Sequence, residues 1–315
     1  MLKLLFRRLF YGLVTILVVA TVIFFATEIL PGDVAAAILG QHATPEALKA
    51  IRDSLGLDRP IHIRYFEWLH NLAKGKFGES LATGRKITEL IGERLGHTIR
   101  LGVITAIFAV PLWIFLGIFT AMFPGSIFDR TITIGALCVV SVPEFFIAAI
   151  LVMIFAVSLR WLPAIAYVSM DQSFFQTLPA LILPVLTLTF ASTAHGTRMT
   201  RTVILNILSG TYIEMALLRG ASRKRIIICH ALPNVLSPLF NLIALNLAWL
   251  LSGVVIIETV FAYPGIGKLM VDAVSFRDIP LVQALGMIFC GTYVGFNLLA
   301  DIFSIISNPR LRYPK

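Results

Sequence analysis

Charge is scarce in this sequence. Only 14% of its 315 residues are Asp, Glu, Lys or Arg, against about 25% in a typical soluble domain, which excludes a soluble globular chain. Cysteine is scarcer still. Cys138, Cys229 and Cys290 lie far apart in or beside apolar runs, without metal-site spacing and odd in number. They read as small apolar side chains and not as a disulfide framework. The six histidines, His42, His62, His70, His97, His195 and His230, show no HExxH or other ligand spacing, so no metal is expected. No G-x-S-x-G elbow and no acid–base cluster occurs. The nearest approach to a phosphate loop, Gly265-Ile266-Gly267-Lys268-Leu269, lacks the first glycine and the Ser/Thr after the lysine. It reads as a turn after Pro264. The expectation is a non-catalytic chain with no cofactor. Internal repeats and low-complexity linkers are missing too.

What is present is apolar length. The hydrophobic fraction is 58% and the mean hydropathy +0.89. Crossing a bilayer takes about 20 apolar residues, and six runs qualify: 9–29, 99–123, 131–159, 178–200, 236–258 and 281–306. The fold class is therefore all-α, a polytopic membrane protein with six transmembrane helices. The first run has no charge from Leu9 to Thr27 and no small-x-small cleavage site before Pro31, so it reads as an uncleaved anchor.

Basic residues set the expected orientation. With the N-terminus inside, the cytoplasmic set is Lys3, Arg7, Arg8, Arg130, Arg198, Arg201, Arg219, Arg223, Lys224, Arg225, Arg310, Arg312 and Lys315, against Arg160, Lys268 and Arg277 in the short outside loops. Both termini are then cytoplasmic. The outside segment 31–98 is long enough to be exempt from the rule. The net charge of +9 resides in the cytoplasmic loops, and no soluble basic domain is left to bind nucleic acid. The expected division is 1–30, cytoplasmic N-terminus and first span; 31–98, a periplasmic loop; 99–306, a five-helix core; and 307–315, a cytoplasmic tail.

Segment 31–98 carries its own helical signals. Thr44-Pro45 starts a helix that Gly56 ends. A second follows Arg59-Pro60, with Ile61, Tyr65, Trp68 and Leu72 on one face. That face can lie on the membrane, pack on the spans or receive a partner. Gly75 and Gly78 mark a turn, and Ile87, Leu90, Ile91 and Leu95 form a third amphipathic stretch leading into the second span.

Ionisable groups inside a membrane are costly and often functional. Glu144 falls near the middle of the third span, just after Pro143. It reads either as a translocation-path residue that meets a substrate amine or cation, or as a structural partner for backbone freed by Pro143. Glu28, Glu258 and Asp301 lie near span ends and are expected to reach water or headgroups. Pro111, Pro143 and Pro184 are expected to interrupt spans two, three and four.

Between spans four and five lies a polar, basic stretch, 210–234. Thr211 and Glu214 have capping-box spacing, placing a helix start at Tyr212. Gly220 suits the left-handed residue past a helix end, and Ser222 can cap a second helix. The result is a helical hairpin between two spans, a lever with something to push against. The pattern Glu214-Met215-Ala216, Gly220, Ala221 and Leu232-Pro233 resembles the EAA loop of ATP-binding-cassette importer permeases, with Met215 where alanine is commoner. Leu30-Pro31-Gly32-Asp33, Gly56-Leu57-Asp58-Arg59-Pro60, the run from Glu258 to Gly267, Arg277-Asp278-Ile279-Pro280 and Asn308-Pro309-Arg310-Leu311-Arg312 are similar to motifs of the dipeptide and oligopeptide branch of that family.

The resemblance implies a type I importer permease fold, two separate ATP-binding-cassette ATPase subunits, a second permease subunit and a periplasmic solute-binding protein. It also implies alternating access for a solute, foremost a di- or oligopeptide, although relatives carry nickel, glutathione, opines or sugars. Residues 212–232 would dock on the ATPase. Arg223, Lys224 and Arg225 can meet acidic groups or lipid headgroups, and they are poorly placed for the helix dipole. The rivals are a secondary transporter, which would show inverted repeats, and a membrane-embedded enzyme, which would need an acid–base or metal cluster near an interface.

Overall fold

Each long apolar run forms a helix, as backbone groups in hydrocarbon must be satisfied within their own segment. The computed structural model describes residues 2–29, 44, 46, 49, 59–168, 174–220, 222, 225 and 232–307. Among these, the elements are α1 (Leu2–Ile29), α2 (Ile61–Ala73), α3 (Ile87–Met122), α4 (Ile127–Val140), α5 (Glu144–Leu151) continuing as a π-helix (Val152–Ser158), α6 (Phe174–Leu208), α7 (Thr211–Leu218), α8 (Leu232–Val260), α9 (Ile266–Ser275) and α10 (Ile279–Ser307). The described residues form no strand beyond an isolated bridge between Glu79 and Lys86.

Five helices are individually long and apolar enough to cross a membrane; α4 and α5 with its π-helix meet the same criterion only as a pair, bent by 101°. The break falls at Pro143, where the sequence leads one to expect it. Pro143 stands immediately before α5 with φ −59° and ψ 143°, since proline fixes its own φ and cannot donate to a continuing helix. The same logic fails at Pro111 and Pro184, which lie inside the continuous helices α3 and α6, as Pro179 and Pro238 lie inside α6 and α8.

By packing, the chain divides into two units. One comprises residues 1–12, 99–263 and 292–315, and the other 13–98 and 264–291.

In the first unit, Leu101 of α3, Ala148 of α5, Leu183 and Leu188 of α6, and Val254 and Ile257 of α8 share one core. A second core gathers around Trp113. Glycine is required there: a Cβ on Gly196 would fall 2.5 Å from the Trp113 ring, and one on Gly117 would fall 2.5 Å from Thr200. Small residues let α3 and α6 approach closely. Helix α4 starts at Ser126, whose hydroxyl accepts from Asp129 N at 3.1 Å.

In the second unit, α2 packs on α1. Tyr65 and Trp68 lie 5.3 and 5.5 Å from the Phe24 ring, and Tyr65 Oη shares a 2.8 Å hydrogen bond with Thr21. Of the three options open for that face, it therefore packs on a span. Glu28, expected to reach water or headgroups, instead takes a bidentate ion pair from Arg64 at 2.6 and 3.0 Å. Ile87, Leu90 and Ile91 are buried against Ile266, Leu269 and Leu285, so the third amphipathic stretch is the first turns of α3 and not a separate element. Gly75 and Gly78 adopt φ of +70° and +81°, as a turn requires. Exposed pairs decorate the surface; the Arg59 guanidinium, hydrogen-bonded to Glu67, holds that carboxyl below the usual range.

Pro45, the helix end at Gly56, the 30–33 motif and the tail from 308 fall outside the described residues; Thr44 is non-helical, and Glu46 and Lys49 are helical.

Candidate functional site

The stretch between α6 and α8 contains a short helix, α7, with two unlike faces. Ile213 is buried against Ile207, Leu208 and Ala216, which anchors α7 to the end of α6. Tyr212, Met215 and Leu218 are 42, 54 and 79% exposed, and Glu214 is exposed beside them. The start of α7 corrects the expected cap. The helix begins at Thr211, and Gly210 O accepts from both Ile213 N at 2.9 Å and Glu214 N at 3.3 Å. Gly210 thus occupies the position before the helix, and Thr211–Glu214 is not a capping box. Gly220 has φ +77°, the left-handed residue past a helix end. A Cβ there would meet nothing within 4 Å, so its requirement for glycine is one of backbone conformation alone. Arg225 N donates to Ser222 Oγ at 3.4 Å and Arg225 is helical, the arrangement of a capped second helix. Ala221, Arg223, Lys224, Cys229, His230 and the side chains of Leu232 and Pro233 fall outside the described residues.

The second candidate is Glu144, the first residue of α5. The bend puts it at a helix start and not in mid-helix. Its carboxyl reaches α8 at Gly253, where a Cβ would lie 2.7 Å from Oε2 and 3.3 Å from Oε1, with Leu188 of α6 also at 3.3 Å. Oε2 is buried without a hydrogen-bond partner. Three helices therefore meet at a carboxyl group with unused bonding capacity, and glycine at 253 makes the room for it. Pro143 supplies the break that turns Glu144 inward.

Other ionisable residues are paired, stacked or buried, in ways that sequence reasoning mostly missed. Arg201, counted as a cytoplasmic charge, makes a bidentate pair with buried Asp129 at 2.7 and 2.8 Å, and Gly125 N adds a 2.9 Å bond. Glu258, expected near water or headgroups, is 0% exposed. Its backbone carbonyl accepts from Tyr263 N at 2.8 Å, and burial pushes the Tyr263 hydroxyl up to about 12. Asp301, expected to reach water or headgroups, is partly exposed and pairs with Arg8 at 3.0 Å. His195 stacks on Trp249 at 5.8 Å. Gly265 precedes α9 with φ −99° and ψ 180°, and Ile266 N donates to Thr98 Oγ1 at 2.9 Å, so Gly265-Ile266-Gly267-Lys268 begins an ordinary helix. The one signal that could have flagged Asp278 is its place two residues before Pro280: it caps α10, and its carboxyl also accepts from Ser80 Oγ and from Leu81 N at 3.1 Å.

These features define an all-helical, multi-pass membrane protein with an exposed helix displayed between two spans. Residues 113–313 match the family described as the inner membrane component of binding-protein-dependent transport systems, and residues 1–102 match the N-terminal region of such membrane components. The chain is 37% identical to a probable peptide ABC transporter permease protein of Sinorhizobium fredii, over 98% of each chain. It is 36% identical to a putative peptide transport system permease protein of Brucella abortus, over 99% of this chain and all of that one. It is 33% identical to a glutathione transport system permease protein of Salmonella choleraesuis, over 99% of this chain and all of that one. The chain belongs to this family of inner membrane components, the permeases of ATP-binding-cassette importers, and its fold is the type I importer permease fold.

Proposed function

We propose that this chain forms the translocation path for di- or oligopeptides delivered by a periplasmic binding protein, works by alternating access, and is itself non-catalytic. The observation that carries the mechanism is the two-faced helix α7: anchored by Ile213, it offers Tyr212, Met215 and Leu218 to a groove on another protein. Two ATPase subunits would take that helix, and their closure would swing the spans. The coupling element is 210–234, with Tyr212, Glu214, Met215, Ala216, Gly220, Ala221, Ser222, Leu232 and Pro233 as its residues. Glu144 and Pro143 belong to the path. The peptide reading rests on what the relatives are named for. The glutathione permeases among them favour a small peptide as the second reading, glutathione being itself a tripeptide.

In this proposal both termini and 210–234 are cytoplasmic, 31–98 is periplasmic, 99–306 is the permease core, and a second, distinct permease completes the pore. The tagged chain should co-purify with an ATPase, and the assembled complex should drive peptide uptake into proteoliposomes only with ATP. Uptake without ATP, or robust hydrolysis by this chain alone, would sink the division of labour. A cysteine placed at Ser222 should label only from the cytoplasmic side and one at Lys49 only from outside; reversed labelling overturns the orientation.

A further inference from the structure

Within the first unit, residues 159–168 follow the π-helix that continues α5. A connection that faces water is commonly built of glycine, serine, asparagine and aspartate. This one, Leu159-Arg160-Trp161-Leu162-Pro163-Ala164-Ile165-Ala166-Tyr167-Val168, has none of them and a single charge, Arg160. It is held from within. Leu162, Ala166 and Val168 pack in the core of the unit, where Ala166 and Val168 are 1 and 5% exposed, and Ala166 N donates to Phe261 O at 2.8 Å. Other side chains of the segment turn outward: Trp161, Ile165 and Tyr167 are 71, 60 and 75% exposed. A row of large apolar side chains displayed from a tethered backbone marks a surface that something covers.

The chemistry of the row identifies the partner. Trp and Tyr each join an apolar ring to a polar tip, which suits the boundary between hydrocarbon and water, and both are enriched there. The row is also continuous with the exposed face of a membrane helix. Arg160 turns the chain back with φ +54°. Trp161 N and Leu162 N donate to Phe155 O at 2.9 and 3.3 Å, and the Trp161 ring lies 6.1 Å from that of Phe155. Trp161 thus closes the end of a π-helix whose Met153, Ile154 and Val157 are exposed and belong to the bent, membrane-crossing pair. Arg160, beside it, is long enough to reach a lipid phosphate from a span end. We propose that 159–168 is an interfacial anchor: Trp161, Ile165 and Tyr167 seat among lipid headgroups and fix the depth at which the end of α5 and its π-helix meets the bilayer surface. The proposal holds whatever solute is carried.

The test uses the assembled transporter in lipid nanodiscs, its native cysteines replaced by alanine, with a nitroxide on a cysteine introduced by Ile165→Cys or Tyr167→Cys. Collisions of the nitroxide with oxygen, which partitions into lipid, are compared with collisions with a nickel chelate, which stays in water. Both labels should favour oxygen and lie within about 10 Å of the phosphates, and a label introduced by Met153→Cys should lie deeper. A preference for nickel at position 165 or 167 means that the row faces water and overturns the proposal. Protection from both reagents means that another subunit covers the row, and overturns it equally. With the label at 165, Trp161→Ala combined with Tyr167→Ala should lower the oxygen-to-nickel ratio by about twofold or more, because the burial of two rings no longer holds the segment down. An unchanged ratio would remove the aromatic residues as anchors and the proposal with them. A measurement without labels covers the case in which a labelled chain does not assemble. Brominated lipid should quench the part of the tryptophan emission that Trp161→Phe removes, and emission from Trp161 that bromine leaves untouched overturns the proposal.

Discussion

Asp278, buried, and Glu144, half-buried with one oxygen out of reach of water, lie one in each unit of the molecule and are provided for in opposite ways. Asp278 is 1% exposed. It accepts from Ser80 Oγ, from Leu81 N and Ala82 N at 3.1 and 3.4 Å, and from Leu281 N at 3.4 Å, where it caps α10. Residues nearly 200 apart in sequence are tied through it. Glu144 has a buried oxygen with no partner and a glycine opposite. The first arrangement spends every lone pair on holding the fold. The second leaves capacity unused, which a purely structural carboxyl has no reason to do.

Asp278→Ala should have the largest effect on stability. It removes a cap worth about 0.5–2 kcal/mol, leaves the buried Ser80 hydroxyl without its acceptor at about 1–3 kcal/mol, and frees the part-buried Leu81 N–H as well. A loss above about 3 kcal/mol is expected, read as a low membrane level and a lowered Tm in detergent. A wild-type Tm would erase the contrast with Glu144. Arg201→Ala comes next. It strands buried Asp129, but Arg201 is itself 27% exposed, so the loss should stay below the roughly 3–5 kcal/mol of a fully buried pair. Adding Asp129→Ala should recover part of it, and no recovery would mean that Asp129 matters chiefly as a partner of Gly125 and Thr133.

Gly220→Val should cost less. At φ +77° with open space around the missing Cβ, the penalty is the backbone alone, about 1–3 kcal/mol. It should fall on the turn after α7, leaving membrane insertion intact while ATPase co-purification or ATP-driven uptake drops. Full uptake at normal expression would remove the coupling role assigned to this turn.

The contrast also explains what could be read from the sequence. Hydropathy located the five long helices and the bent pair α4–α5 to within a few turns, because length and apolarity in a membrane leave little choice but helix. The resemblance around 210–234 pointed to α7 and Gly220. It did not reveal Gly210 as the residue before the helix, since Thr211 and Gly210 both suit that position locally and the hydrogen bonds decide. The bend at Pro143 was not distinguishable from the prolines at 111 and 184. Whether a proline breaks a membrane helix depends on what neighbouring helices offer its freed carbonyls, and that is tertiary information. Glu28 with Arg64, Arg201 with Asp129 and Ser80 with Asp278 were invisible for the same reason: charge counting sees residues one at a time.

The smallest expected change in stability belongs to Glu144→Gln. The carboxyl contributes no complete set of hydrogen bonds to the fold, so an uncharged side chain of equal size should alter stability by less than about 1 kcal/mol and leave assembly unchanged. Its effect should appear in transport, as reduced uptake of peptides with a free amino terminus or a cationic side chain. Gly253→Ala provides the complementary test. Its Cβ would fall 2.7 Å from Oε2, close enough to push the flexible end of Glu144 aside without removing it, so uptake should fall in the same direction while the carboxyl remains present. If both variants import amine-bearing peptides at the wild-type rate, Glu144 is a structural group like Asp278 and the contrast between the two carboxyls collapses. If Glu144→Gln instead lowers the Tm as Asp278→Ala does, the unpartnered oxygen has a structural partner in the assembled transporter, and the path must be sought elsewhere.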